Sequence, residues 1–292
     1  MTIFKTLLLL TLCFATINCS KITFSAIDED NITGSEPHQP ADPSNPVSKK
    51  LDILIVIDNS SSMLQEHSVI HDKLLGFNRK LKSKGLDYRM AVTTTDAREV
   101  NSLTKLQTPR GFGGKVISFK GKNFVSSSTY NPEELVLASL DRSLEASCGT
   151  ADLDDNDYWL EDESDPEICS TDYEEPVKVI KQFLKQKDTA NSGFLRSGVP
   201  LVALIITDED IESFDDKNMN MSQQLASIKI LKSNFKAYGI IAQEGDIARC
   251  NANWSGNVSQ KVEEFISLSG GKHNSICDAN YVSIFEQIAK DY

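Results

Sequence analysis

LDILIVIDNSSSM, residues 51–63, passes from the apolar run Ile53 to Ile57 to one carboxylate and three hydroxyls within five residues. The run is apolar on both faces, as a strand covered on both sides in a parallel sheet must be. Asp58, Ser60 and Ser62 then form the pattern D-x-S-x-S where strand gives way to helix. One carboxylate and two hydroxyls are hard oxygen donors, of the kind Mg²⁺ accepts while keeping several waters. Serines here equally suit helix capping, with Ser60 or Ser62 satisfying the first amides.

Working outward, DYRMAVTTT, VPLVALIIT, FKAYGIIA and KHNSI also read as strands. Between and after them, MLQEHSVIHDKLLGFNRKLKS, PEELVLASLDRSLEAS, EPVKVIKQFLKQ, SQQLASIKILKS, SQKVEEFISLS and YVSIFEQIAKDY carry apolar residues three and four apart, the period of an amphipathic helix. Strand and helix in alternation predict a doubly wound α/β fold with a mostly parallel central sheet and helices on both faces. GKVISFKGK and NFVSSS, turning at Gly121, predict a hairpin that supplies one antiparallel edge strand. Ligands of such sheets bind beyond the carboxyl ends of the strands. A second strand, LVALIIT, ends in Thr207, Asp208, Glu209 and Asp210, so a second acidic cluster emerges at the edge that carries Asp58. Neighbouring uncompensated carboxylates repel, and a bound cation inverts that cost. Ser128 and Thr129, ahead of the helix that starts near Pro132, add hydroxyls at a strand-to-helix loop.

The chain has 292 residues, 40% of them hydrophobic, and a net charge of -12. Twelve acidic residues and no Lys or Arg lie between Asp152 and Glu175, so this segment accounts for the imbalance. No basic stripe remains to displace counterions from phosphates, which argues against nucleic-acid binding. The first residues, MTIFKTLLLLTLCFATINCS, have one Lys, the apolar run Leu7 to Ile17, then small and polar residues. That layout is a secretory signal, too short to span a membrane well. TINC resembles the end of a bacterial lipoprotein signal, with Asn18 where Gly or Ala is usual, and makes Cys19 the expected lipidation site. Ser20 after it favours the outer membrane, facing the periplasm or the cell surface. The predicted organisation is a signal over 1–18, a flexible polar tether over 19–49, and one domain over 50–292 with an acidic insert at about 148–175.

Cys148, Cys169, Cys250 and Cys277 remain in the folded part, an even number that suggests two disulfides in an exported protein. Of three possible pairings, Cys148 with Cys169 and Cys250 with Cys277 close the shortest loops. Asp152, Asp154, Asn156 and Glu163 take positions 1, 3, 5 and 12 of an EF-hand-like loop, a candidate second Ca²⁺ site. Asp157 there replaces the turn glycine. There is no G-x-S-x-G elbow and no P-loop, and nothing in the pattern supports covalent or acid–base catalysis, so a binding protein rather than an enzyme is expected.

From Leu51 to Tyr292 the chain resembles the von Willebrand factor A domain family, in LIVIDNSSSM, STYNPEEL and LIITDED. The resemblance implies a metal ion-dependent adhesion site with Asp58, Ser60, Ser62, Thr129 and Asp208 as ligands. The ion would be Mg²⁺, or Mn²⁺ or Ca²⁺, with a position left for an Asp or Glu carboxylate of a protein or surface partner. Asp96, Glu209 and Asp210 would sit on its rim. AVTTTDA, GFLRSGVPLVALIITDED and SIC also resemble exported bacterial lipoproteins with this domain. Metal-dependent adhesion or protein binding at a membrane is therefore the leading expectation. The alternative is a structural or assembly component of the envelope whose metal mainly stabilises loops.

Overall fold

The computed structural model describes residues 49–60, 63, 66–98, 111–118, 121–129, 132, 174–211, 220–246, 258–278 and 281–292. Six strands form one sheet: β1 (Lys50–Ile57), β2 (Asp87–Thr94), β3 (Val125–Ser126), β4 (Leu201–Thr207), β5 (Phe235–Ile241) and β6 (His273–Ser275). Their order is β3-β2-β1-β4-β5-β6, all parallel except β3 against β2. Among the described residues five helices accompany them: α1 (Glu66–Ser83), α2 (Pro176–Lys185), α3 (Met221–Leu231), α4 (Gln260–Ser269) and α5 (Val282–Asp291). This is the α/β architecture with an antiparallel edge strand that the sequence predicts.

Alternation along β1 shows why both faces are apolar. Leu51, Ile53, Ile55 and Ile57 join one core with Ile70, Leu74, Phe77 and Leu81 of α1 and with Ile284, Phe285 and Ile288 of α5. Leu54 and Val56 join the other with Val179, Ile180 and Phe183 of α2, Leu225 of α3 and Phe265 of α4. In α1 the buried positions are spaced by three or four, so one stripe faces the sheet. Close approach of α4 depends on Gly239 in β5, where an added Cβ would collide with Ile266. The helix after β1 and the helix after β4 cover opposite faces, so the neighbouring ends of β1 and β4 flank a topological switch point.

The expected hairpin forms only in part. Val125 and Ser126 pair with Met90 and Arg89, but residues 115–118 are not a strand. A short 3₁₀ turn, Phe112–Gly114, precedes them, and Thr93 Oγ1 donates to Gly111 O at 2.7 Å and to Lys115 O at 2.8 Å. Those bonds hold the segment as a loop across β2, with Ile117 N donating to Val92 O. The predicted helix over 132–147 lies outside the described residues apart from Pro132. Among the described residues, no helix is long and apolar enough to cross a membrane.

Candidate functional site

Parallel register brings three strand ends together. Ile57 is level with Thr94 on one side and Ile206 on the other, so Asp58, Thr95 and Thr207 emerge side by side. Asp58 N donates to Ile206 O at 2.9 Å, and Thr95 N to Ile57 O at 3.0 Å.

Asp58 is fully buried. Its Oδ1 accepts from Ser60 N at 2.7 Å and its Oδ2 from Thr207 Oγ1 at 2.6 Å. Burial, then the negative charge of Asp208, push its carboxyl up to about 6, against the opposing pull of hydrogen bonds from Thr207 and Ser60. Asp208 is itself fully buried, and Ser60 is 3% exposed. Two buried acids thus face each other at the switch point, and carboxylates in that arrangement resist ionising together. Thr207, whose hydroxyl also accepts from Glu209 N at 3.1 Å, ties the two acidic loops to one another. Sequence reasoning gave Thr207 no role; its signal was a hydroxyl immediately before Asp208 at a strand end.

Asp58, Ser60 and Asp208 are the described groups that could hold a cation. Their donor set, oxygen throughout, fits a hard divalent ion. Among the described residues no group of three or more His, Cys, Asp or Glu that could hold a metal ion is found, at this edge or elsewhere. Ser62 lies outside the described residues.

Thr129 is not brought to this edge. Its Oγ1 accepts from Ser126 N at 2.8 Å, and Ser126 is level with Arg89 near the start of β2. Five residues of β2 separate Arg89 from Thr94, roughly 16 Å of strand at ~3.3 Å per residue. Because β3 runs antiparallel, the chain that follows it moves away from the carboxyl edge. The expected threonine ligand therefore sits at the opposite end of the sheet.

The three expected rim residues have other partners. Asp96 is fully buried beneath Arg98, which meets its two oxygens at 2.6 to 3.0 Å and also donates its backbone N–H. Asp210 Oδ1 accepts from Lys261 N at 2.9 Å and Val262 N at 3.3 Å, capping the first turn of α4. Burial raises the Asp210 carboxyl, opposed by those amides. Glu209 is half-buried, and its carbonyl accepts from Ser259 Oγ at 2.7 Å. Asn59 is buried toward β2, with Oδ1 3.5 Å from Thr95 Oγ1.

Cys277 is disulfide-bonded, beside the buried Asp246 and Ser275. The expected partner Cys250, the pair Cys148 and Cys169, the lipidation site Cys19 and the calcium candidates Asp152, Asp154, Asn156 and Glu163 lie outside the described residues.

No family model and no curated protein matches the chain. Solved structures do match. Proximal thread matrix protein 1 from the mussel byssus is 8% identical, over 83% of this chain and 48% of that one, with a TM-score of 0.43. The pilus adhesin SpaC from Lactobacillus rhamnosus GG is 12% identical, over 83% of this chain and 30% of that one, with a TM-score of 0.42. The chain thus spans about half the length of the first and under a third of the second. At these scores the likeness carries no argument about what the chain binds.

Proposed function

We propose that the chain is an exported, lipid-anchored binding protein of the von Willebrand factor A type, which recognises a carboxylate on a protein or surface partner through a divalent cation at the carboxyl edge. The observation that supports this most is the buried pair Asp58 and Asp208 at the carboxyl edge, where burial and the negative charge of Asp208 raise the Asp58 carboxyl. When bound, Mg²⁺ would supply a directed attraction for one oxygen of the partner's acid. Asp58 would keep the Ser60 loop in place through its bond from the Ser60 amide, and Thr207 would hold the Asp208 loop against it. Ser60, Asp208 and, as the resemblance implies, Ser62 would be the groups that hold the ion.

The second reading, an ion that mainly fastens loops in an envelope component, draws on the depth of the same groups. Asp58 and Asp208 are both 0% exposed. Titration calorimetry with Mg²⁺, followed by capture of envelope proteins with and without EDTA, separates the two. The adhesive reading expects saturable Mg²⁺ binding that Asp208→Asn abolishes, and capture that EDTA removes while the domain stays folded. Identical capture in both conditions sinks it in favour of the structural ion; absence of Mg²⁺ binding by the native chain sinks both.

A further inference from the structure

The opposite edge of the sheet has its own charge pattern. The helices run antiparallel to the parallel strands, so α1, α2, α3 and α5 all end where those strands begin. Lys82 in the last turn of α1, Lys185 in α2, Lys229 in α3 and Lys290 in α5 are exposed there, joined by Lys49 and Lys50 at the entry to β1. The acids of this edge are already engaged. Arg196 holds Asp52 and Asp87, Lys236 holds Asp291, Lys187 holds Asp188, and Glu286 lies between Lys80 and Lys84. The six lysines therefore make no ion pair among the described residues. Cations in a last helical turn complement the helix dipole. That accounts for four of the six positions and not for Lys49 and Lys50, where no helix ends.

We propose that this amino edge docks on the anionic phospholipid headgroups of a membrane surface, turning the carboxyl-edge site away from the bilayer. Two features favour a membrane over another polyanion. The chain enters the domain at this edge, so the expected lipidation site Cys19 is joined to the domain through Lys49 and Lys50. If residues 20–48 form the tether expected from their composition, their 29 residues would average roughly 30 Å end to end, a short reach between anchor and domain. Each lysine near an anionic leaflet raises partitioning about 5-fold, an effect confined to within a Debye length. The proposal is independent of the metal, since neither Asp58 nor Asp208 takes part.

The test compares sedimentation of the full chain with phosphatidylcholine vesicles and with vesicles that also contain phosphatidylglycerol, at low and high salt. Apolar insertion of Leu7 to Ile17 contributes to both, so the difference isolates the charged edge. Expected is excess binding to the anionic vesicles, on the order of 100-fold or more, that high salt removes and that Lys50→Glu/Lys82→Glu/Lys185→Glu/Lys229→Glu reduces to the zwitterionic level. Lysine acylation of the native chain gives a second readout that needs no variant: Lys82, Lys185 and Lys229 should be protected on anionic vesicles alone. Equal binding to both vesicles, unchanged binding by the variant, or unprotected lysines overturn the proposal. So does stronger retention by duplex DNA than by anionic vesicles, which would make the edge a general polyanion surface.

Discussion

Strand β1 has a buried aspartate near its start, Asp52, and another just past its end, Asp58, and the two are treated in opposite ways. Asp52 and Asp58 are both 0% exposed. Asp52 meets a positive charge: Arg196 Nε donates to its Oδ1 and Arg196 N to its Oδ2, both at 2.8 Å. The same guanidinium reaches Leu51 O, Asp87 O and the Asp87 carboxylate, so one side chain closes the starts of β1 and β2. Asp58 instead meets a second acid, and its hydrogen bonds come from an amide and a hydroxyl. Identical residues at the two ends of one strand, equally buried, thus become a staple or a candidate site according to the nearest charge. At the amino end the charge is balanced within the fold. At the carboxyl end the neighbouring charge of Asp208 adds to the cost of ionising Asp58.

The largest effect expected from this contrast is at the staple. Arg196→Met strands Asp52 in the interior, and removal of one partner of a buried pair typically costs about 3–5 kcal/mol. For a domain of this size that is roughly 10 °C in melting temperature. Urea denaturation of the two proteins measures it directly. A loss below about 1 kcal/mol would place Asp52 in solvent contact and dissolve the distinction between the ends.

At the other end the sign reverses. Asp58→Asn removes the repulsion from Asp208 and keeps an acceptor for the Ser60 amide, so the metal-free variant should be more stable than the native chain near neutral pH while losing Mg²⁺ binding. The pH dependence follows from the raised carboxyl, which stands at about 6 against 3.8 in the unfolded chain. Folding favours the protonated form, so this contribution is fully present below about pH 4 and is lost as pH rises through about 6. In EDTA, acidification from neutrality to about pH 5 should therefore raise the melting temperature of the native chain relative to Asp58→Asn, by several degrees. Saturating Mg²⁺ should flatten that difference. Parallel pH curves for the two proteins in EDTA would mean that Asp58 and Asp208 do not interact.

How far the two ends were legible beforehand follows the same physics. LDILIVI and LVALIIT announce themselves as buried strands, and two adjacent parallel strands finish at one edge, so Asp58 and Asp208 were readable as neighbours. Asp96 pairs with Arg98, only two residues on, a local pairing that the sequence does display. Asp210 was out of reach: it caps a helix some fifty residues later, and only tertiary packing decides that. Arg196 lies 144 residues from Asp52 and carries no local signal of the pairing. Thr129 failed for a directional reason. Its height on the sheet is set by two antiparallel pairs of β3, and a run of serines gives no indication of whether the chain is travelling up or down.

Thr129 also gives the smallest and most discriminating effect. Its hydroxyl accepts from Ser126 N and lies 3.2 Å from Ser126 Oγ, so Thr129→Ala should cost about 1 kcal/mol of stability through a lost turn bond. Mg²⁺ affinity should stay within about twofold of the native value, because a hydroxyl at the start of β2 has no route to an ion between the ends of β1 and β4. Calorimetric titration of Thr129→Ala beside Asp208→Asn gives both numbers in one experiment. A tenfold loss of affinity in Thr129→Ala would require the loop after β3 to swing the length of the sheet when metal binds. The two ends of the domain would then be coupled, and the contrast between a closed staple and an open site would have to be replaced by a switch that joins them.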